Sequence, residues 1–144
     1  MRIGSTLTVA GVVLALFATE ATASPGFEVP SGNTTCAILP PKLSGEEAPA
    51  LFCSSTYIKK GAYDGRGTVR LRRSGKAKRI GSGNDLLLYI GGLNPDGSAS
   101  KRPVLEYGET FRRKGFVCKS RSTGLRCKRG AHGFFLSREQ QRYF

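Results

Sequence analysis

The 144-residue chain carries 23 Lys and Arg against 10 Asp and Glu, a formal net charge of +13, with four Cys, one His and no Trp. Such a balance attracts polyanions (nucleic acid, acidic envelope or extracellular polysaccharide, anionic lipid surfaces) without choosing among them. The single imidazole and cysteines without CxxC spacing exclude a zinc centre of the usual kind, and nothing in the composition asks for a cofactor.

The first 23 residues read as a signal peptide. Arg2 is followed by an apolar run, Leu7–Phe17, too short to span a bilayer, and then by Ala21-Thr22-Ala23, the small-x-small pattern cut by a signal peptidase. Cleavage after Ala23 removes one basic residue (Arg2) and one acidic residue (Glu20), so the remainder, 24–144, keeps its charge. That remainder suits one basic, mainly β domain, secreted or extracytoplasmic, with no membrane span. In such a compartment four cysteines act as disulfides.

In chain order, Phe27-Glu28-Val29 and Thr34-Thr35-Cys36 flank Pro30-Ser31-Gly32-Asn33, whose residues favour a tight reversal. Pro40-Pro41 and Ser44-Gly45-Glu46-Glu47 form a loop before a strand at Leu51-Phe52-Cys53. Thr68–Arg72 alternates apolar with charged residues, the period of a half-buried strand. Ser74-Gly75 reads as a two-residue hairpin turn before Ala77–Ile80, which would set Arg70 opposite Arg79 and Arg73 opposite Lys76. The unbroken run Leu86-Leu87-Leu88-Tyr89-Ile90 predicts a strand covered on both faces. Asn94-Pro95-Asp96-Gly97 is a turn, Val104–Tyr107 and Phe111 follow, and Phe116-Val117-Cys118 pairs with Leu125-Arg126-Cys127. Ser137 with Gln140 three positions on makes a capping box, predicting a short helical turn at 138–143. A faint internal repeat links Phe27…Cys36 to Phe116…Cys127, each with an aromatic start, a polar turn and a closing Cys, and implies two hairpin-based units.

The expected architecture is a small disulfide-stapled antiparallel sheet or barrel-like domain. Of three possible connectivities, Cys36–Cys53 and Cys118–Cys127 are expected because each closes its own strand unit.

Two segments carry a resemblance. The opening, Phe27-Glu28-Val29-Pro30-Ser31-Gly32-Asn33-Thr34-Thr35-Cys36, is similar to a Phe-x-x-Pro-Ser-Gly-Asn-x-x-Cys segment. The closing series comprises Tyr107-Gly108, Phe116-Val117-Cys118-Lys119-Ser120, Gly124-Leu125-Arg126-Cys127 and His132-Gly133-Phe134-Phe135-Leu136-Ser137-Arg138. Together they resemble a family of exported bacterial domains of unknown function with a Gly-His-Gly-Phe-x-Leu-Ser-Arg closing motif. Ala131 stands where that family usually has the first Gly, and residues 57–102 lack the Trp and extra Cys of many members. The resemblance implies a compartment and a covalent framework but no activity.

Chemistry-bearing residues are few. His132 could serve a secreted nuclease as general acid or base with Glu106 or Glu139, but no nuclease motif surrounds it, and a glycine-flanked His reads more simply as a turn residue bonded to a local carbonyl. No Ser lies in a Gly-x-Ser-x-Gly or Ser-x-x-Lys setting, and Glu46-Glu47 is the only adjacent acidic pair. No catalytic residue is assigned. Between Lys59 and Arg79 stand nine basic residues and one acid, Asp64. Arg70, Arg72, Arg73, Lys76, Lys78 and Arg79 are the expected anion-binding residues, and a second cluster runs from Arg112 to Arg129. The expected role is a non-catalytic exported protein that associates with anionic polymers. A nuclease using His132 and a protein-binding or inhibitor module are the alternatives.

Overall fold

The computed structural model describes residues 24–144, so the signal peptide expected at 1–23 lies outside the described residues. Ten strands and two short helices follow one another as β1 (Gly26–Glu28), β2 (Thr34–Leu39), α1 (Pro41–Ser44), β3 (Ala50–Ser55), β4 (Gly67–Leu71), β5 (Lys78–Ile80), α2 (Asn84–Gly91), β6 (Thr110–Arg113), β7 (Phe116–Arg121), β8 (Gly124–Arg129), β9 (His132–Leu136) and β10 (Gln141–Tyr143). The strands form two antiparallel meanders, β1-β2-β3-β4-β5 and β10-β9-β8-β7-β6. Mainly β structure is what the short, turn-punctuated apolar segments predict.

Register shows the internal repeat, in a different alignment from the one read in sequence. In the first sheet Phe27, Cys36, Cys53, Val69 and Arg79 stand side by side across the five strands. In the second, Phe111, Cys118, Cys127, Phe134 and Tyr143 do the same. Phe27 therefore corresponds to Phe111, not Phe116, and Cys36 to Cys118, not Cys127. The sequence echo compared residues along the chain, whereas the sheet aligns them across strands. The two rows meet: the Phe27 and Phe111 rings lie 4.9 Å apart, and the Arg79 guanidinium sits 5.7 Å above the Tyr143 ring.

Both expected disulfides are present, Cys36–Cys53 and Cys118–Cys127, each joining residues directly opposed on neighbouring strands. Their sulfurs approach across the core, those of Cys36, Cys53 and Cys127 lying within 4.8 Å of one another. Around them one apolar cluster takes Ile38, Leu51, Val69 and Leu71 from the first sheet and Phe116, Leu125, Phe134 and Leu136 from the second. The core thus lies between the two sheets.

Two expectations are corrected. The Leu86–Ile90 run is helical, within α2. Leucine favours a helix, and a short apolar run has no periodicity that separates strand from buried helix. Asp85 stands in the first turn, and Gly92, at φ 114°, ends the helix by donating its N–H to the carbonyls of Leu88 and Tyr89. Leu86, Tyr89 and Ile90 pack on Ala37, Leu39, Ala50 and Phe52, so α2 covers the outer face of the first sheet. At the C-terminus, Ser137 Oγ accepts the Gln140 N–H at 3.0 Å as a capping box requires. The Ser137 N–H then donates to the Gln140 carbonyl and closes a hairpin. Residues 141–143 pair with β9 instead of coiling, because a strand satisfies its backbone groups on a neighbour that a single helical turn would leave open.

Candidate functional site

The repeat makes the two outer faces directly comparable. In the first sheet the outward row is Gly26, Ala37, Phe52, Arg70 and Lys78, and α2 lies on its apolar part. The corresponding row of the second sheet is Thr110, Lys119, Arg126, Phe135 and Arg142. No helix of the described residues covers it. The strand alternation that buries Phe116, Cys118, Ser120, Leu125 and Cys127 turns Val117, Lys119, Arg121, Arg126 and Lys128 outward. With Arg112 and Arg142, this face presents six cationic side chains (Arg112, Lys119, Arg121, Arg126, Lys128, Arg142) and no acidic one among its outward residues.

Two rings hold part of this charge in place. The Arg142 guanidinium lies 5.3 Å above the Phe135 ring and that of Arg126 lies 5.2 Å above Phe144. A guanidinium resting on an aromatic face keeps its N–H edges outward and loses less rotamer freedom on meeting an anion. Gly124 allows this arrangement. At φ 149° its absent Cβ would fall 2.5 Å from the Phe135 ring, so a side chain there would displace it. A shallow depression of about 400 Å³ between Arg112, Val117, Lys119, Arg126 and Lys128 marks the middle of the face.

The residues between 70 and 79 do not share one surface. The β4–β5 register opposes Arg70 to Lys78 and Val69 to Arg79, one position away from the expected pairing. The turn between the strands is longer than two residues, so Arg73 and Lys76 lie outside the paired positions. A one-residue slip reverses the face on which a side chain projects, and Arg70 and Arg79 accordingly lie on opposite faces. Arg70 donates to Glu46 Oε1 at 2.9 Å and Arg72 to Glu46 Oε2 at 2.7 Å. Burial pushes the Glu46 carboxyl up, but the hydrogen bonds and charges of Arg72 and Arg70 outweigh it and hold the group below the usual carboxylate range. The Arg73 carbonyl accepts from Arg129 Nε, while Lys76 and Lys78 are exposed. Arg79 stacks on Tyr143, whose hydroxyl burial pushes up against the opposing Arg79 charge.

His132 opens β9, opposite Arg129, and its ring makes no hydrogen bond among the described residues, so the expected bond to a local carbonyl is absent there. Glu139 follows the other end of β9, roughly 14 Å or more along the strand at about 3.4 Å per residue. Glu106 belongs to the segment whose next residues bond Ser120, at that same far end. Neither carboxylate is brought to the imidazole. The four sulfurs are held in S–S bonds, leaving no thiolate to ligate a metal.

Sequence reasoning noted the Arg112–Arg129 cluster but not its continuation through Phe135, Arg142 and Phe144. The alternation Lys119-x-Arg121 and Arg126-x-Lys128 was a visible signal for a charged face. The rings and Arg142 join it only through pairing with β9 and β10.

Residues 92–144, which include the whole second sheet, match the model of a family of unknown function (DUF6636). No curated protein and no solved structure matches the chain. No helix of the described residues is long and apolar enough to cross a membrane, and the two disulfides are of a kind that persists in oxidising compartments.

Proposed function

We propose that this is a non-catalytic exported protein that associates with anionic envelope or extracellular polymers, and that the outer face of the second sheet is its contact surface. One observation carries the reading. In two equivalent sheets, the first has the apolar part of its outer face under a helix, and the second has an open face with six cations and no acidic side chain. Cations so grouped repel one another in the free protein, and an anionic polymer relieves that cost while releasing its counterions. The exposed Arg73, Lys76, Lys78 and Arg79 extend the positive field at the β4–β5 turn. Arg70 and Arg72 contribute less because Glu46 neutralises part of their charge.

The test uses residues 24–144 and duplex DNA as a surrogate polyanion. Binding should weaken with salt, log K falling against log salt by about 0.9 per phosphate contacted. Replacing Lys119, Arg126 and Arg142 together with Gln should flatten that slope by about two to three units if all three touch the polymer. The corresponding Arg70, Arg72 and Arg79 variant should change it by about one. Equal slopes for the Lys119/Arg126/Arg142 variant and the parent chain would refute the assignment of the face.

A further inference from the structure

A cleft of about 290 Å³ opens where the β1–β2 turn of the first sheet meets the β7–β8 and β9–β10 turns of the second. Segments far apart in sequence converge on it, contributing Ser31 and Asn33, Tyr57, Tyr107, Arg121–Gly124 and Ser137–Glu139. Its buried lining is mixed, with apolar Val29, Leu125 and Leu136 beside polar Thr34 and Ser137.

One wall is held rigidly. Arg66 donates to the carbonyls of Gly32 at 2.7 Å and Asn33 at 3.3 Å. Asn33 Nδ2 in turn donates to the Tyr57 hydroxyl at 3.0 Å, and Asn33 Oδ1 accepts from Thr56. Tyr57, which lines the cleft, thereby accepts a bond and keeps its own proton free to donate. Four exposed residues also line it: Tyr107, 53% exposed, Arg121, Arg138 and Glu139. None of these four makes a side-chain hydrogen bond among the described residues.

From this lining we infer that the cleft binds a single carboxylated sugar ring, the end residue of an acidic polysaccharide. The volume is at the small end for a ligand site, which suits one ring and not a chain threaded through. An exposed tyrosine beside Val29, Leu125 and Leu136 suits the C–H surface of a pyranose, while Ser31, Thr123 and Tyr57 match its hydroxyls. Two guanidiniums against one carboxylate leave a positive balance, and guanidinium pairs a carboxylate in bidentate fashion. The end residue is favoured over the free sugar because Arg121 belongs both to this cleft and to the cationic face, so a polymer lying on the face reaches the cleft with its terminus. The inference rests on the polymer-binding reading and adds the class of polymer.

The experiment is amide NMR titration of residues 24–144 with D-galacturonate, with D-galactose as the uncharged control and tri-galacturonate as the chain-end probe. Saturable shifts at Tyr57, Tyr107 and Ser137–Glu139 are expected with galacturonate, and binding about tenfold weaker with galactose, as for loss of a charge-assisted bond. Tri-galacturonate should perturb the same signals at lower concentration and add shifts at Lys119 and Arg126. Trimer binding no tighter than monomer would overturn the chain-end assignment. Arg138→Gln and Tyr107→Ala, both at exposed positions, should each weaken galacturonate binding about tenfold with melting unchanged. Absence of saturable shifts at the cleft signals, or undiminished binding by both variants, would overturn the inference. Because the salt dependence of DNA binding is read separately, its loss with galacturonate shifts retained would overturn the polymer reading alone. Its retention without those shifts would overturn only the cleft.

Discussion

Glu46 shows how much a single acid decides about the charge around it. Its side chain is 13% exposed and accepts from both Arg70 and Arg72. Replacement by Gln removes the charge and weakens both bonds, a loss of about 1–2 kcal/mol at neutral pH for partly buried, charge-assisted bonds. The carboxyl is depressed in the folded chain, so its contribution is present above the unfolded value near 4.5 and is lost as pH falls through the lower folded value. The melting difference between Glu46→Gln and the parent chain should therefore be largest at neutral pH and shrink as the pH is lowered below 4.5. A difference independent of pH would show that the ion pairs contribute nothing. At this scale the sequence was legible in residue type only. An excess of nine bases over one acid between 59 and 79 is real, yet the acid that matters lies outside that window.

Arg102 ties elements together where no sequence signal marks it. It is 6% exposed, and burial lowers its pKa. Its Nε donates to the Ile90 carbonyl and one Nη to that of Tyr89, both at 3.1 Å, while the other Nη meets the Ser24 carbonyl. It therefore pairs the Ile90 carbonyl, adds a second donor to that of Tyr89 and holds the segment entering β1. Arg102→Ala should destabilise by about 2–4 kcal/mol, because the Ile90 carbonyl loses its partner and a packed, buried side chain is removed. Arg102→Lys should recover only part, since one ammonium cannot span three carbonyls. Urea denaturation of both variants checks this, and a cost below about 1 kcal/mol for Arg102→Ala would refute the anchoring role. Strands were more legible than helices at this scale. The alternation at Thr68–Arg72 matches β4, and the Phe116–Cys127 hairpin formed as expected, whereas Leu86–Ile90 carried no period and its helix depends on the apolar sheet face beneath it.

The two meanders bury their inner faces against each other, and each disulfide closes within its own meander. Each bridge contributes about 3 kcal/mol on the chain-entropy account, which constrains a half without giving it a second layer. Residues 24–91 and 92–144 made separately should each lack a cooperative thermal transition, because Phe27, Val69 and Leu71, or Phe116, Phe134 and Leu136, would face water. Equimolar mixing should restore a transition near that of the intact chain, read by near-ultraviolet circular dichroism. A cooperative transition in 92–144 alone would show that the segment matching the family of unknown function folds independently.

Local chemistry in the amino-acid sequence determined the β class, the turns at Pro30–Asn33 and Asn94–Gly97, and the pairing of the four cysteines. In each case the partners lie close along the chain, and turn residues bring them together without help from distant segments. Tertiary structure alone decided the equivalence of the two meanders, the helical state of Leu86–Ile90, the strand at 141–143 and the division of cations between a paired set and an open face. These depend on which strand lies beside which and in what register. Shifting a strand by one residue moves every side chain to the opposite face, so the same arginines form either a solvated edge or a contact surface.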